Sequence, residues 1–239
     1  MLASGFRQLR RGAAAMGFTV ARTSNLNFGF DWHHDVRRLA SEWRRPIGQC
    51  CDVGANDGTV AQTMIAAFPA ARLDAFEPHP ETFRRLETLA NGRWRCHCIA
   101  LSDEIGQRTL NAFAYDKLNS LSPDAPGMRN GNAPVDRVAV HATTLDAFCK
   151  DNAIAAIDVL KIDTEGHEMA VLKGARELFA ARKIQFVYAE FSDANGPNSL
   201  SEIAGFLAPF DVRFIATYTE QVQAPPDFSI VANGLFARL

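Results

Sequence analysis

Apolar residues in this chain fall into short, mostly apolar runs, and between the runs they recur every three or four positions. The runs read as strands buried on both faces: "IGQCCDVG", "RLDAFEP", "WRCHCIAL", "IDVLKID" and "KIQFVYAEF". The intervening stretches read as helices. The pattern predicts helices over Trp32–Arg45, Asp57–Phe68, Pro80–Ala90, Thr144–Lys150, Glu168–Ala181 and Leu200–Leu207. Pro46 and Pro69 stop the first two, Pro80 suits the first turn of the third, and Asn91-Gly92 closes it. "RTLNAFA" and "RVAVHA" read as extra strands around a polar loop, residues 115–136. "VRFIAT" and "FSIVANGLFARL" read as a closing antiparallel pair. Strands alternating with helices predict a mainly parallel α/β sheet with helices on both faces. The expected division is an N-terminal helical extension, residues 1–45, and one domain over 46–239.

Composition narrows the functional classes. The 239 residues are 47% hydrophobic and 22% charged, ordinary for a globular chain with a full core. Net charge is −2 and the sequence pI is about 6.3, so no global field draws the chain to nucleic acid. The charge is uneven: residues 1–45 hold eight Arg against three acids, net +5, leaving −7 on the rest. The first 24 residues contain no acid and are rich in Arg and Ala, which suits weak contact with a membrane surface. No apolar run approaches the roughly 18 residues of a membrane span. The five cysteines (50, 51, 96, 98, 149) lack the paired C-x₂-C spacing of a structural zinc site. Four lie in strand-like runs, as reduced cysteines do, and the cytoplasm is the expected location. Nothing in the pattern sets an oligomeric state.

In folds of this kind ligands bind beyond the carboxyl ends of the strands. After the first strand comes "CDVGANDG", with Asp52, Gly54, Asn56 and Gly58 in a tight turn ahead of a helix. The spacing departs from the G-x-G-x-x-G dinucleotide fingerprint. Asp57 at the helix start would repel a pyrophosphate, so a cationic or zwitterionic ligand fits the loop better. After the second strand, Glu77 lies 19 residues beyond Gly58, placed to accept hydrogen bonds from two ribose hydroxyls. After the third, Ser102 and Asp103 offer small polar groups to an adenine edge. Together these ends predict a nucleoside-bearing ligand.

The segments "DVGANDG", "AFEPHPETFRRL", "IALSDEIGQRTL", "TTLDAF" and "VLKIDTEGHEMAVLKGA" are similar, in that order, to the FkbM-type S-adenosylmethionine-dependent methyltransferases. The resemblance covers about residues 48–192. It implies a class I, Rossmann-like fold with a seven-stranded sheet. It implies a donor site on Asp52, Gly54, Asn56 and Gly58, with Glu77 on the ribose and Ser102–Asp103 near the adenine. It also implies O-methylation of a sugar, glycan or small metabolite bearing a free hydroxyl.

The fourth strand ends in an abrupt cluster of charge, "KIDTEGHE". Methyl transfer from a sulfonium needs the acceptor oxygen opposite the leaving sulfur, and a base near its proton. If the strand persists, Asp163 and Glu165 point into one cleft. The candidates for base are Asp163 or Glu165, then His167, with Lys161 holding a carboxylate in place. Glu168 reads as a helix-start carboxylate, and Glu190, ending the fifth strand, as a group reaching the same cleft. A rival layout, similar to catechol-type methyltransferases, would hold magnesium on Asp163, Asp193 and Asn195. The spacing Asp193-Ala-Asn195 does not match the adjacent pair that layout uses, so no metal is expected. A nucleotide-dependent oxidoreductase or a non-catalytic binding module remain the other classes open to this pattern.

Overall fold

Each core strand carries two apolar rows, and the architecture covers both. The computed structural model describes residues 26–123, 128, 131–191, 198–223 and 229–239. Helix α1 (Trp32–Glu42) precedes β1 (Gln49–Val53), α2 (Thr59–Ala67), β2 (Arg72–Phe76), α3 (Pro80–Ala90) and β3 (Arg95–His97). Then come β4 (Ala100–Leu101), β5 (Gly106–Ala112), a 3-10 turn at Asp116–Leu118, β6 (Asp136–Thr143) and α4 (Leu145–Asp151). The chain continues through β7 (Ile157–Ile162), α5 (Glu168–Lys173), α6 (Arg176–Ala180), β8 (Ile184–Phe191), α7 (Leu200–Leu207), β9 (Val212–Gln223) and β10 (Ser229–Arg238).

Seven strands form the main sheet in the order β3-β2-β1-β7-β8-β10-β9. The first five run parallel, and β10 is antiparallel to both β8 and β9. Alternate residues face opposite layers. Cys50, Val159, Phe186 and Leu235 meet Val36, Leu39, Met64 and Leu86 of α1–α3. Their neighbours Cys51, Leu160, Val187 and Phe236 meet Phe148, Leu172, Phe179 and Leu207 of α4–α7. This two-sided burial is why the strands read as continuous apolar runs. Strand order reverses between β1 and β7, so the crevice opens where Val53 and Ile162 end side by side.

Local chemistry sets the helix ends. Asp31, Thr144 and Ser199 each accept a backbone N–H in the first turn of α1, α4 and α7. Pro80 occupies the start of α3, and Asn91 closes it in the left-handed region. Helix α1 docks on the sheet through Trp32, stacked on Tyr188 with centroids 4.4 Å apart. Buried Asp35 of α1 accepts from Tyr218 Oη at 2.6 Å and from Gly29 N at 2.9 Å. The acid-free segment at the chain start, with its expected membrane contact, lies outside the described residues. Among the described residues no helix is long and apolar enough to cross a membrane.

Four expectations change. The first helix ends at Glu42 rather than Arg45, because Arg44 turns left-handed ahead of Pro46. The second begins at Thr59, since Gly58 (φ +90°) precedes it as a left-handed cap. The run "WRCHCIAL" splits: β3 joins the main sheet, while β4 pairs with β6 in a separate three-stranded sheet, order β4-β6-β5. The helix expected over Glu168–Ala181 breaks into α5 and α6 at Gly174-Ala175. There Asp146 N donates to Gly174 O, and the Asp146 carboxylate accepts from Glu177 N and Leu178 N, which starts α6 afresh.

Gly174 is required by packing: a Cβ there would lie 2.0 Å from the Ser102 carbonyl oxygen. Gly174→Ala should therefore cost about 1–3 kcal/mol through overpacking, lowering Tm by roughly 2–4 °C per kcal/mol for a chain of this size. An unchanged melting curve would show that the β4 backbone gives way without penalty.

Candidate active site

The glycine loop after β1 is shaped by a neighbouring strand end. Gly54 N and Ala55 N both donate to Phe76 O, at 3.1 and 2.9 Å, folding the loop onto β2. Gly54 has φ +74°, and a Cβ on it would lie 1.8 Å from Asp163 O. The missing side chain thus makes room for the end of β7, where the spacing alone had suggested room for a ligand. A Cβ on Gly58 would meet Leu86 Cδ1 at 2.9 Å, so this glycine serves helix packing and does not line the cleft. Asn56, also left-handed, does line it.

Glu77, 5% exposed, ends β2 beside that loop. Its Oε2 accepts from Asn56 N at 3.1 Å and its Oε1 from His79 N at 2.9 Å. Each carboxylate oxygen has a second lone pair, so the group can still accept from two vicinal hydroxyls. Burial pushes its pKa up to about 7, against the two backbone donors and Lys161, and Asp116 adds to the rise.

Lys161 is the buried cation of the site, 2% exposed. Its Nζ lies 3.0 Å from Asp52 Oδ1, 3.5 Å from Asp163 Oδ2 and 3.1 Å from Gly54 O. Burial alone would lower its pKa, but the charges of Asp52 and Asp163 raise it, so the ammonium stays protonated. Asp52 is fully buried against this ammonium and does not line the cleft, which corrects its expected place on the donor. Burial pushes the Asp52 pKa up while Lys161 opposes. Asp52 and Lys161 are register partners on adjacent strands, a relation that a linear sequence does not display.

Strand β7 stops at Ile162, so strand alternation does not carry Asp163 and Glu165 into the cleft together. A turn does it instead, with Glu165 left-handed at φ +55°. Carboxylate oxygens of Asp163, Glu165 and Glu190 come within 4.8 Å of one another, close enough to share one cation or one hydroxyl. Glu168, expected as a simple helix-start carboxylate, clamps this turn. Its buried Oε1 accepts from Thr164 N, Thr164 Oγ1 and Gly166 N at 2.8–3.2 Å. Ser120 Oγ adds a bond to Glu165 O at 2.7 Å.

His167 turns away from that trio. Its Nε2 lies 3.0 Å from the Oγ of fully buried Ser102, whose hydroxyl donates to Asp103 Oδ1, also at 3.0 Å. Burial lowers the His167 pKa; Asp103 opposes this and Arg108 adds to it. Ser102 and Asp103 do not line the cleft, whereas His167 does. Of the groups near the adenine site expected at Ser102–Asp103, the one that reaches the cleft is the His167 ring hydrogen-bonded to Ser102.

These groups surround a cavity of about 280 Å³ whose roof the sequence did not reveal. Asp116, Lys117, Asn119 and Ser120, in the loop between β5 and β6, line it together with the glycine loop. Asn56 Nδ2 donates to Asp116 O at 3.4 Å, and Arg85 of α3 pairs with the Asp116 carboxylate. The only signal in the sequence was the length and polarity of that loop. Asp193 and Asn195 lie outside the described residues.

A model of the methyltransferase FkbM domain matches residues 52–215. The chain is 27% identical over 190 residues to the 2-O-methyltransferase NoeI of Sinorhizobium fredii, covering 74% of this chain and 77% of that one. It is 27% identical over 169 residues to the hexuronic acid methyltransferase AglP of Haloferax volcanii, covering 71% and 66%. Against the 31-O-demethyl-FK506 methyltransferase FkbM of Streptomyces tacrolimicus, identity is 29% over 214 residues, covering 75% and 81%.

Two outcomes follow from the buried charges. Lys161→Met strands Asp52 without its cation and should cost about 3–5 kcal/mol of stability; denaturant unfolding measures it, and a loss below about 1 kcal/mol would deny the pair its structural weight. Glu77 binds its proton more tightly folded than unfolded. Its contribution to stability is thus complete below pH 4.5 and lost as pH rises through about 7. Glu77→Gln should abolish that fall, about 3 kcal/mol at most. Parallel pH–stability curves for the two proteins would refute the assignment.

Proposed function

The chain belongs to the FkbM methyltransferase family, and we propose that it transfers the methyl group of S-adenosylmethionine to a hydroxyl oxygen of a sugar, glycan or small metabolite. The observation that carries this reading is the meeting of Asp163, Glu165 and Glu190 beside the glycine loop. Relatives named for O-methylation support the hydroxyl as acceptor. Family membership decides for methyl transfer over the hydride transfer of an oxidoreductase.

The residues fit the donor. An acidic, glycine-lined loop with Asp57 at the helix start suits a ligand bearing sulfonium and ammonium charge and would repel a diphosphate. Glu77 holds the ribose diol, and Asn56 lies beside it. When bound, S-adenosylmethionine supplies an electrophilic methyl group. Asp163, fixed by Lys161, and Glu165, fixed by its turn, orient the acceptor hydroxyl toward that methyl. One of these two carboxylates takes the proton as the oxygen–carbon bond forms and the carbon–sulfur bond breaks, with its electron pair going to sulfur. Glu190 accepts from a further acceptor hydroxyl. Lys161, enclosed beneath the loop, positions Asp163 and does not touch the acceptor.

We place the enzyme in a reducing compartment, the cytoplasm, on the character of its cysteines. Cys50, Cys51 and Cys149 are buried core side chains whose thiols are pushed up by burial.

A screen with trideuteromethyl donor and hydroxyl-bearing acceptors, read by product mass, tests the reaction: a +17 Da product on oxygen is expected, and methylation confined to nitrogen or carbon would refute it. With that acceptor, Asp163→Asn and Glu165→Gln should leave donor affinity intact. The variant that removes the base should lose about 10²–10⁴-fold in turnover. Wild-type rates in both would exclude the pair. A rate abolished by EDTA and restored by magnesium would assign the trio to a metal instead.

A further inference from the structure

Ser102 has one proton to give. It lies 3.0 Å from Asp103 Oδ1 and 3.0 Å from His167 Nε2. A carboxylate oxygen accepts, so a serine that donated to His167 would leave two bare oxygens facing each other. The stable arrangement sends the serine proton to Asp103 and makes Ser102 Oγ the acceptor. His167 must then donate through Nε2–H, and as a neutral ring it carries its lone pair on Nδ1. Among the described residues no hydrogen-bond partner is found for Nδ1, and His167 lines the cleft with Ile99, Ala100, Leu101 and Leu110. These four side chains are apolar and can flank a flat base.

We propose that His167 reads the base of the donor: Nδ1 accepts a hydrogen bond from the exocyclic amino group of adenine, and the Ser102–Asp103 pair fixes the tautomer that makes it an acceptor. This rests on the donor reading above and assigns His167 away from the acceptor chemistry considered for it in the sequence. Ser102 is a positioning residue acting through the ring. The charged groups facing the ring are Asp103, beyond β4, and Arg108 of β5, itself paired with Glu104 at 3.0 Å. On its own loop, the Glu168 carboxylate is occupied by Thr164 and Gly166. Burial favours the neutral ring, so the acceptor form prevails at neutral pH and converts to a two-donor cation on acidification.

The probe pair is S-adenosylhomocysteine and S-inosylhomocysteine, which differ in placing an amino donor or a carbonyl acceptor at the same position of the base. Calorimetry from pH 5.5 to 8 should show the adenosyl ligand bound tighter at pH 8 by about tenfold or more. This preference should shrink as the ring protonates. The ribose is common to both, so Glu77 titration cancels in the ratio. His167→Phe should lower adenosyl affinity by about tenfold, leave inosyl affinity within about twofold, and make the ratio independent of pH. Ser102→Ala should reduce the preference only partly. Long-range proton–nitrogen NMR of the wild-type protein reads the tautomer directly, even if a variant fails to fold. An Nδ1–H tautomer, or a preference unchanged in a folded His167→Phe protein, overturns the proposal and leaves methyl transfer standing. A protein that binds neither ligand overturns the donor reading itself.

Discussion

A single buried ammonium holds the catalytic edge of this sheet together. Lys161 neutralises Asp52 beneath the glycine loop, pairs with the Asp163 carboxylate at the strand mouth and donates to the Gly54 carbonyl. Breaking such a contact leaves a carboxylate in a medium that solvates it poorly, so the arrangement resists partial disruption. It also fixes two functional segments relative to one another. The glycine loop after β1 and the turn after β7 hang on the same ammonium and its three partners. The contact between Gly54 and Asp163 O, too close for any side chain, is the steric counterpart of that charge coupling.

Around the junction, the rest of the site is arranged by turns. Glu168 spends its Oε1 on three donors of the segment 164–166, which lets a non-glycine residue, Glu165, hold φ +55°. The result is a clustered set of carboxylates in which like charges are brought within 4.8 Å. Such crowding of like charges favours a cation or a hydroxyl donor among them. Ala100 and Leu101 of β4 and Leu110 of β5 bring the small sheet to the wall of the crevice.

The two ends of the cleft have different physical character. At one end, Ile99, Ala100, Leu101 and Leu110 line the cleft with the His167 ring, whose pKa burial lowers. At the Glu190 end, polar groups gather in the row where β7 and β8 finish. A class I sheet separates these functions because successive strands end at successive points along one crevice. The glycine loop and Glu77 follow β1 and β2, while Asp163, Glu165 and Glu190 gather at the ends of β7 and β8.

What the sequence determined was periodicity. Mostly apolar runs at 50–53, 73–76, 159–162 and 184–191 announced strands buried on both faces, and Pro80 and Asn91-Gly92 marked the start and close of a helix, because these are local signals carried by neighbouring residues. The carboxylates of Glu77, Asp163 and Glu165 were legible since each sits where a run ends. What only the tertiary structure decided depended on neighbours remote in the chain. Asp52 looked like a ligand to the donor until β7 placed Lys161 against it, 109 positions away. Ser102 and Asp103 looked like base contacts until the turn before α5 brought His167 between them and the cleft. The cysteine-rich run near residue 97 divided between two sheets because pairing partners, rather than its own alternation, fixed where each half bonded. A linear pattern reports which face a residue favours; which charge meets it there is set by strand order and register.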